Sequence, residues 1–188
     1  DFTAGVDITG STLHGAGDSG RITAFANTRG NITTKNSLKS AGVIPISLAF
    51  SDHAIDYRNS VDVESSELTT DKKDQNITLA ATDDTDVKLE TIADTQGGLA
   101  GAASAEASNE FNRSNKITVG SGTHLLSSND ANLYAGADLN GITSSLNLQV
   151  LADAYNKTAL PVYTDPTVTN NMTQANQVVI ASGTNVDS

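Results

Sequence analysis

Two carboxylates stand at corresponding places in two short motifs, Asp94 in Ile92-Ala93-Asp94 and Asp153 in Leu151-Ala152-Asp153. Stacked on neighbouring strands, such groups form a ladder suited to calcium or to lyase chemistry on acidic polysaccharide. The plainer reading is an exposed turn aspartate that recurs because its surroundings recur. Asp83-Asp84-Thr85-Asp86 and Asp138-Leu139-Asn140-Gly141 are also rich in oxygen ligands. Neither has the full calcium-loop spacing with its distal glutamate, so both read as solvated turns. His14, His53 and His124 are isolated, with no paired-histidine spacing for a metal. Gly15-Ala16-Gly17-Asp18-Ser19-Gly20 holds a lone GxG and reads as a turn; no phosphate loop and no nucleophile elbow occur. Cysteine is absent, which removes thiol catalysis, disulfides and thiolate metal sites together. The expectation is a chain with no catalytic, cofactor-binding or metal-ligating residue and no cofactor, not an enzyme.

The elements behind these residues are repetitive. Val6-Asp7-Ile8-Thr9-Gly10-Ser11-Thr12-Leu13, Val61 to Leu68, Ile117 to Leu125 and Val178 to Val186 share one pattern. Each has an apolar–polar–apolar strand start, a small polar turn and one aliphatic. Ile8, Val63, Val119 and Ile180 are spaced by 55, 56 and 61 residues. Ile22, Ile77 and Leu133 keep the same step, as do Gly42 with Gly98, and Pro45 with Gly101 and Pro161. The array divides into units at about 6–60, 61–116 and 117–178, with a fourth starting at 179–188. A period of this size marks a repeat architecture.

Composition agrees. Charged residues are 18% and aromatics 4%, both low for a compact globule. Val, Ile, Leu and Ala at short intervals suit a narrow core of stacked small side chains. The net charge is −11, and the eleven basic residues are scattered rather than clustered. Nucleic acid and anionic membranes are therefore not expected partners, and no apolar run is long enough for membrane insertion. The chain starts and stops in mid-pattern, which reads as a segment of something longer.

Short alternating runs such as Ile22–Ala26, Ile77–Ala80 and Leu133–Ala135 indicate half-buried strands. Gly, Asn, Asp and Ser between them, as in Thr82–Asp86 and Ser127–Asp130, indicate turns. The repeat favours a β-solenoid over a sandwich or barrel, with about three coils of some 19 residues in each unit. Gly97–Phe111 contains helix-favouring Ala and Glu. Its repeat partners Val43–Phe50 and Leu160–Tyr163 carry Pro and alternating aliphatics, so a strand pair or extruded hairpin is expected there. Thr164–Met172, which makes the last repeat longer, is expected to bulge as a loop. These two regions, 97–111 and 157–176, are the expected contact surfaces.

Ile92–Gly98, Ala102–Ala107, Asn115–Gly120 and Asn132–Gly136 together are similar to the repeat of leukotoxin-type filamentous adhesins, and through them to filamentous haemagglutinins. Leu151–Asn156 through Ala175–Ile180 resembles the next unit. The resemblance is one of pattern over nearly the whole chain, weakest where Ile44-Pro45-Ile46 stands in the first unit. It implies an all-β, right-handed parallel β-helix, two-partner secretion, and an extracellular life as a fibre on the bacterial cell surface. The implied partners are host or bacterial surface glycans or proteins and other copies of the fibre. Some exported adhesins of this type carry sugar on sequons like those at Asn31, Asn76, Asn112, Asn156 and Asn171. The alternative is a β-helix polysaccharide-binding or polysaccharide-lyase-type domain that depends on calcium. It would need a local cluster of Asp with Arg or Lys, and no such cluster stands in the linear sequence.

Overall fold

The computed structural model describes residues 1–188, and every regular element is a β-strand. In chain order these are β1 (Phe2–Thr9), β2 (Thr12–Gly15), β3 (Ile22–Ala41), β4 (Ile46–Glu64), β5 (Glu67–Thr70) and β6 (Ile77–Gln96). Then follow β7 (Ala100–Val119), β8 (His124–Leu126), β9 (Ala131–Ala135), β10 (Ser145–Lys157), β11 (Leu160–Ile180) and β12 (Asn185–Asp187). They form three parallel sheets: β1-β4-β7-β11, β3-β6-β10 with β9 also on β6, and β2-β5-β8-β12. Each repeat thus gives one short strand and two long ones, each laid beside its copies.

The register matches the sequence period. Ile8, Val63, Val119 and Ile180 are direct neighbours across four strands. So are Leu13, Leu68, Leu125 and Val186. Ile22 faces Ile77, but Leu133 sits against Leu79, and Ala131 takes the place beside Ile77. Paired residues lie one whole repeat apart, so the expected division into coils of some 19 residues is incorrect. The short alternating runs fuse into strands of about twenty residues because the backbone between them pairs with its copies in the neighbouring repeats, which keeps it extended. Thr82–Asp86, expected as a turn, is the middle of β6 for this reason.

The two long strands of a repeat fold back on each other. Thr28 Oγ1 donates to Asn59 Oδ1 at 2.5 Å, Asn36 Nδ2 to the Phe50 carbonyl at 2.7 Å, and the hydroxyls of Ser40 and Ser47 meet at 2.8 Å. These pairs are equidistant from the corner near residues 42–45, so the β3 and β4 layers face one another along their length. A twenty-residue strand spans roughly 66 Å, whereas four strands stack over only about 14 Å between outer axes. At the base, far from the corner, the core is mainly Ile, Val and Leu: Ile22, Val61, Val63, Leu68, Ile77, Leu79, Ile117, Val119 and Leu125, with Ala24, Ala26 and Ala81. Midway it is Ile55, Tyr57, Val87, Leu89 and Phe111. At the tip its buried members are all alanine: Ala49, Ala93, Ala103, Ala105, Ala107 and Ala152. Side-chain volume falls towards the tip, and the layers converge there.

The strand expected over Gly97–Phe111 is present, but neither expected extrusion is. Gly97–Leu99 makes the corner, and Ala100–Val119 is one strand, its alanines alternately buried against the facing layer. Alternation at period two overrides the helix propensity of Ala and Glu once neighbouring repeats pair with the strand. The tip is tight: Gly98 has φ +82°, and a Cβ there would lie 2.3 Å from the Gly42 carbonyl oxygen. Thr164–Met172 is no loop but part of β11, paired residue by residue with β7. The extra residues of the last repeat lie instead at Gly136–Ser144, with one more at Val162, where the β11 register shifts.

Candidate functional site

The longest insertion in the repeat adjoins the most polar part of the interior. In the first two repeats the second sheet is served by unbroken strands, β3 and β6. In the third, β9 stops at Ala135 and β10 starts at Ser145. Between them Gly136–Ser144 makes a small loop, closed by the Ser144 N–H bonded to the Gly136 carbonyl at 2.9 Å and by pairing of Ala137 with Thr143. Asp138 shapes its tip, accepting through Oδ1 from the backbone N–H of Asn140 at 2.8 Å and Ile142 at 2.9 Å. Those two amides hold its carboxyl below the usual carboxylate range. The loop roofs Thr82, which is buried although it lies on the outward side of β6. A cleft of about 470 Å³ remains between the loop and the sheet, with Phe25, Asn27, Arg29 and Asp84 on its sheet side.

Beneath this cleft, inside the fold, lies a fully satisfied ion pair. Arg113 Nε donates to Asp83 Oδ2 at 2.7 Å, with Nη2 2.6 Å from the same oxygen. Asp83 Oδ1 accepts from Asn115 Nδ2 at 2.8 Å. Arg113 also donates to Gln174 Oε1 and, from the inserted loop, Ser144 Oγ, both at 3.3 Å. Asn59, Asn115 and Asn176 form a ladder through all three repeats, with bonds of 3.0 and 3.1 Å. Buried charge is costly unless paired and hydrogen-bonded, and every polar atom of Asp83 is used. The chemistry of this arrangement is that of a clamp. It ties β6 to β7 across the layers, because a one-residue slip of either strand would turn one partner to the outer face and leave the other charge buried and unpaired. A second ladder, of the His53 imidazole and the Asn109 and Asn170 amides, links the three repeats nearer the tip.

The residues singled out in the sequence are placed differently from their motifs. Asp94 and Asp153 do not form a ladder: the third repeat is displaced, so Asp94 lies beside Tyr155 and Asp153 beside Ile92. Asp94 accepts from Gln96 at 2.6 Å and has Lys157 at 3.7 Å, while Asp153 accepts from the Tyr155 hydroxyl at 2.9 Å. That bond pushes the Tyr155 phenol up. Of the acidic run, Asp83 points inward to the clamp and Asp84 outward to Arg29 at 3.5 Å and Ser145 at 2.5 Å. His14 contacts Asp71 at 2.7 Å and Thr69 at 2.8 Å. No group of three His, Asp or Glu side chains converges as metal ligands.

Comparison with protein-family models, curated proteins and solved structures gives no match to this chain.

The clamp residues were missed in the sequence because Asp83 and Arg113 are thirty residues apart. A signal exists nonetheless. Gly97-Gly98 is flanked by two long alternating stretches, and reflection about Gly98 maps Asp83 onto Arg113. The same reflection about the first corner maps Thr28 onto Asn59. Outside the clamp, opposite charges recur in register: Lys35 and Lys88 each stand 3.1 Å from Glu90 and hold its carboxyl below the usual range.

Proposed function

We propose that this chain is a structural and adhesive segment of a secreted bacterial surface fibre. In this reading the three parallel sheets are the walls of a β-helix in which one 56-residue repeat makes one coil. The observation that carries it is the one-repeat register kept across four strands in two sheets, with a single one-residue shift at Val162, and across the third save where the 136–144 loop interrupts it. Each added repeat buries the apolar face of the one before, so length grows without a new core. The outer edges of β1, β2 and β3, and of β10, β11 and β12, have the hydrogen-bonding groups for further repeats.

Such a coil is unusually broad for its rise. Fifty-odd residues add about 4.8 Å of height and two outward faces roughly 66 Å wide. A fibre of this kind trades length for contact area, which suits adhesion through many weak polar contacts with surface glycans or proteins. The test is retention of particles coated with the folded chain on host-cell and glycan-bearing surfaces. Retention above that of particles coated with acid-unfolded chain is expected; equal retention would contradict the adhesive role.

A further inference from the structure

The tip carries aliphatic side chains on its outside. Val43 and Ile44 of the first repeat are 69% and 70% exposed, Leu99 of the second 67%, and Leu160 and Val162 of the third 67% and 73%. Backbone bonds hold them in a row: the Leu99 N–H donates to the Val43 carbonyl at 3.0 Å, and the Leu160 N–H to the Leu99 carbonyl at 2.9 Å.

Leu99 decides what this exposure means. Many apolar residues of β11 are exposed only because no strand covers that edge: Ile180 is 52% exposed, whereas its neighbour Val119, one repeat in, is 0%. Leu99 already has a repeat on both sides and remains two-thirds open. Adding repeats therefore lengthens the ridge instead of burying it. A contiguous exposed apolar strip of this kind marks an interaction surface.

Charge identifies the occupant. The chain carries −11 overall, yet 40–51, 97–105 and 158–164, which build the tip, contain no charged residue. Two copies repel one another over most of their surface, and the tip is where they can meet without opposing like charges. Its backbones are bonded one repeat to the next, so a second copy presents a row of the same spacing. We propose that the Val43–Leu99–Leu160 ridge is a lateral docking surface for a second copy of this chain, joining fibres side by side. This goes beyond adhesion and rests on the fibre reading, while docking of two copies is tested by itself.

The test is sedimentation equilibrium of the 188-residue chain at low and high salt. The account expects a monomer–dimer equilibrium that tightens as salt screens the acidic charge. The triple variant Leu99→Ser, Leu160→Ser, Val162→Ser should raise the dissociation constant roughly a hundredfold, given what burial of each aliphatic is worth. The control Ile142→Ser, at 65% exposed but on the inserted loop, should leave it unchanged. All four side chains lie outside the core, and an unchanged far-ultraviolet circular dichroism spectrum verifies that each variant is folded. A chain monomeric at all concentrations would overturn the proposal. So would a dimer that the triple variant leaves intact, since that dimer would join the open strand edges instead.

Discussion

The base and the tip of each repeat solve opposite problems with the same alternating pattern. At the base, Ile, Val and Leu point inward, and Leu68, Ile77, Leu79, Ile117, Val119 and Leu125 have no exposed surface. At the tip, alanines point inward and the large aliphatics point out. The base is held by the volume it buries. The tip is held by closeness, with Gly98 against the Gly42 carbonyl and Ser47 bonded both to Ser40 and to the Asp94 carbonyl. Between them the Asp83–Arg113 clamp joins the layers by charge. The difference teaches that stability and surface are assigned to different ends of one repeat unit.

The clamp between the two ends gives the largest expected effect. Arg113→Met leaves Asp83 buried without its cation and should cost about 3–5 kcal/mol in urea denaturation; a loss under 1 kcal/mol would mean that the layers do not depend on it. At the base, Leu79→Ala should cost about 2–5 kcal/mol by the same measurement, since a fully buried leucine leaves a cavity. The tip should respond in the reverse sense. Ala105→Leu overfills the converging layers and should cost about 1–3 kcal/mol, whereas added volume that is tolerated would show that the tip is loosely packed.

The smallest effect concerns Tyr57, whose buried hydroxyl lies beside Thr85 without a hydrogen bond of good geometry. Tyr57→Phe should be neutral or stabilising by up to about 1 kcal/mol at pH 7. Burial pushes the Tyr57 phenol above its ordinary value of 10.0. A group raised by folding contributes stability below its unfolded value and loses it as pH rises through the folded one. Melting temperature should therefore fall above pH 10 or so in the parent chain, and less in the Phe variant.

Much of the fold was legible in the sequence because the repeat carries it. Ile8, Val63, Val119 and Ile180 lie where their spacing put them, side by side. The length of the strands was not legible: Thr82–Asp86 has the local chemistry of a turn, and only pairing with its copies makes it strand, whereas in Gly97–Phe111 the alternation already pointed to strand over the helix propensity of its Ala and Glu. Nor was the site of the insertion. The total of 61 residues between Val119 and Ile180 is the same whether the surplus falls at 164–172 or at 136–144, and only the register of β9 against β10 distinguishes them. The clamp escaped for a related reason. Its partners are related by reflection about a corner, which no linear motif records.

The central claim is that each repeat lies parallel to the next with one whole repeat between paired residues. Backbone nuclear Overhauser contacts in the isotopically labelled chain test this directly. The account predicts interstrand contacts of parallel geometry between Val63 and Val119 and between Ile22 and Ile77. Contacts between residues some 19 apart, or antiparallel contacts between neighbouring long strands, would contradict it.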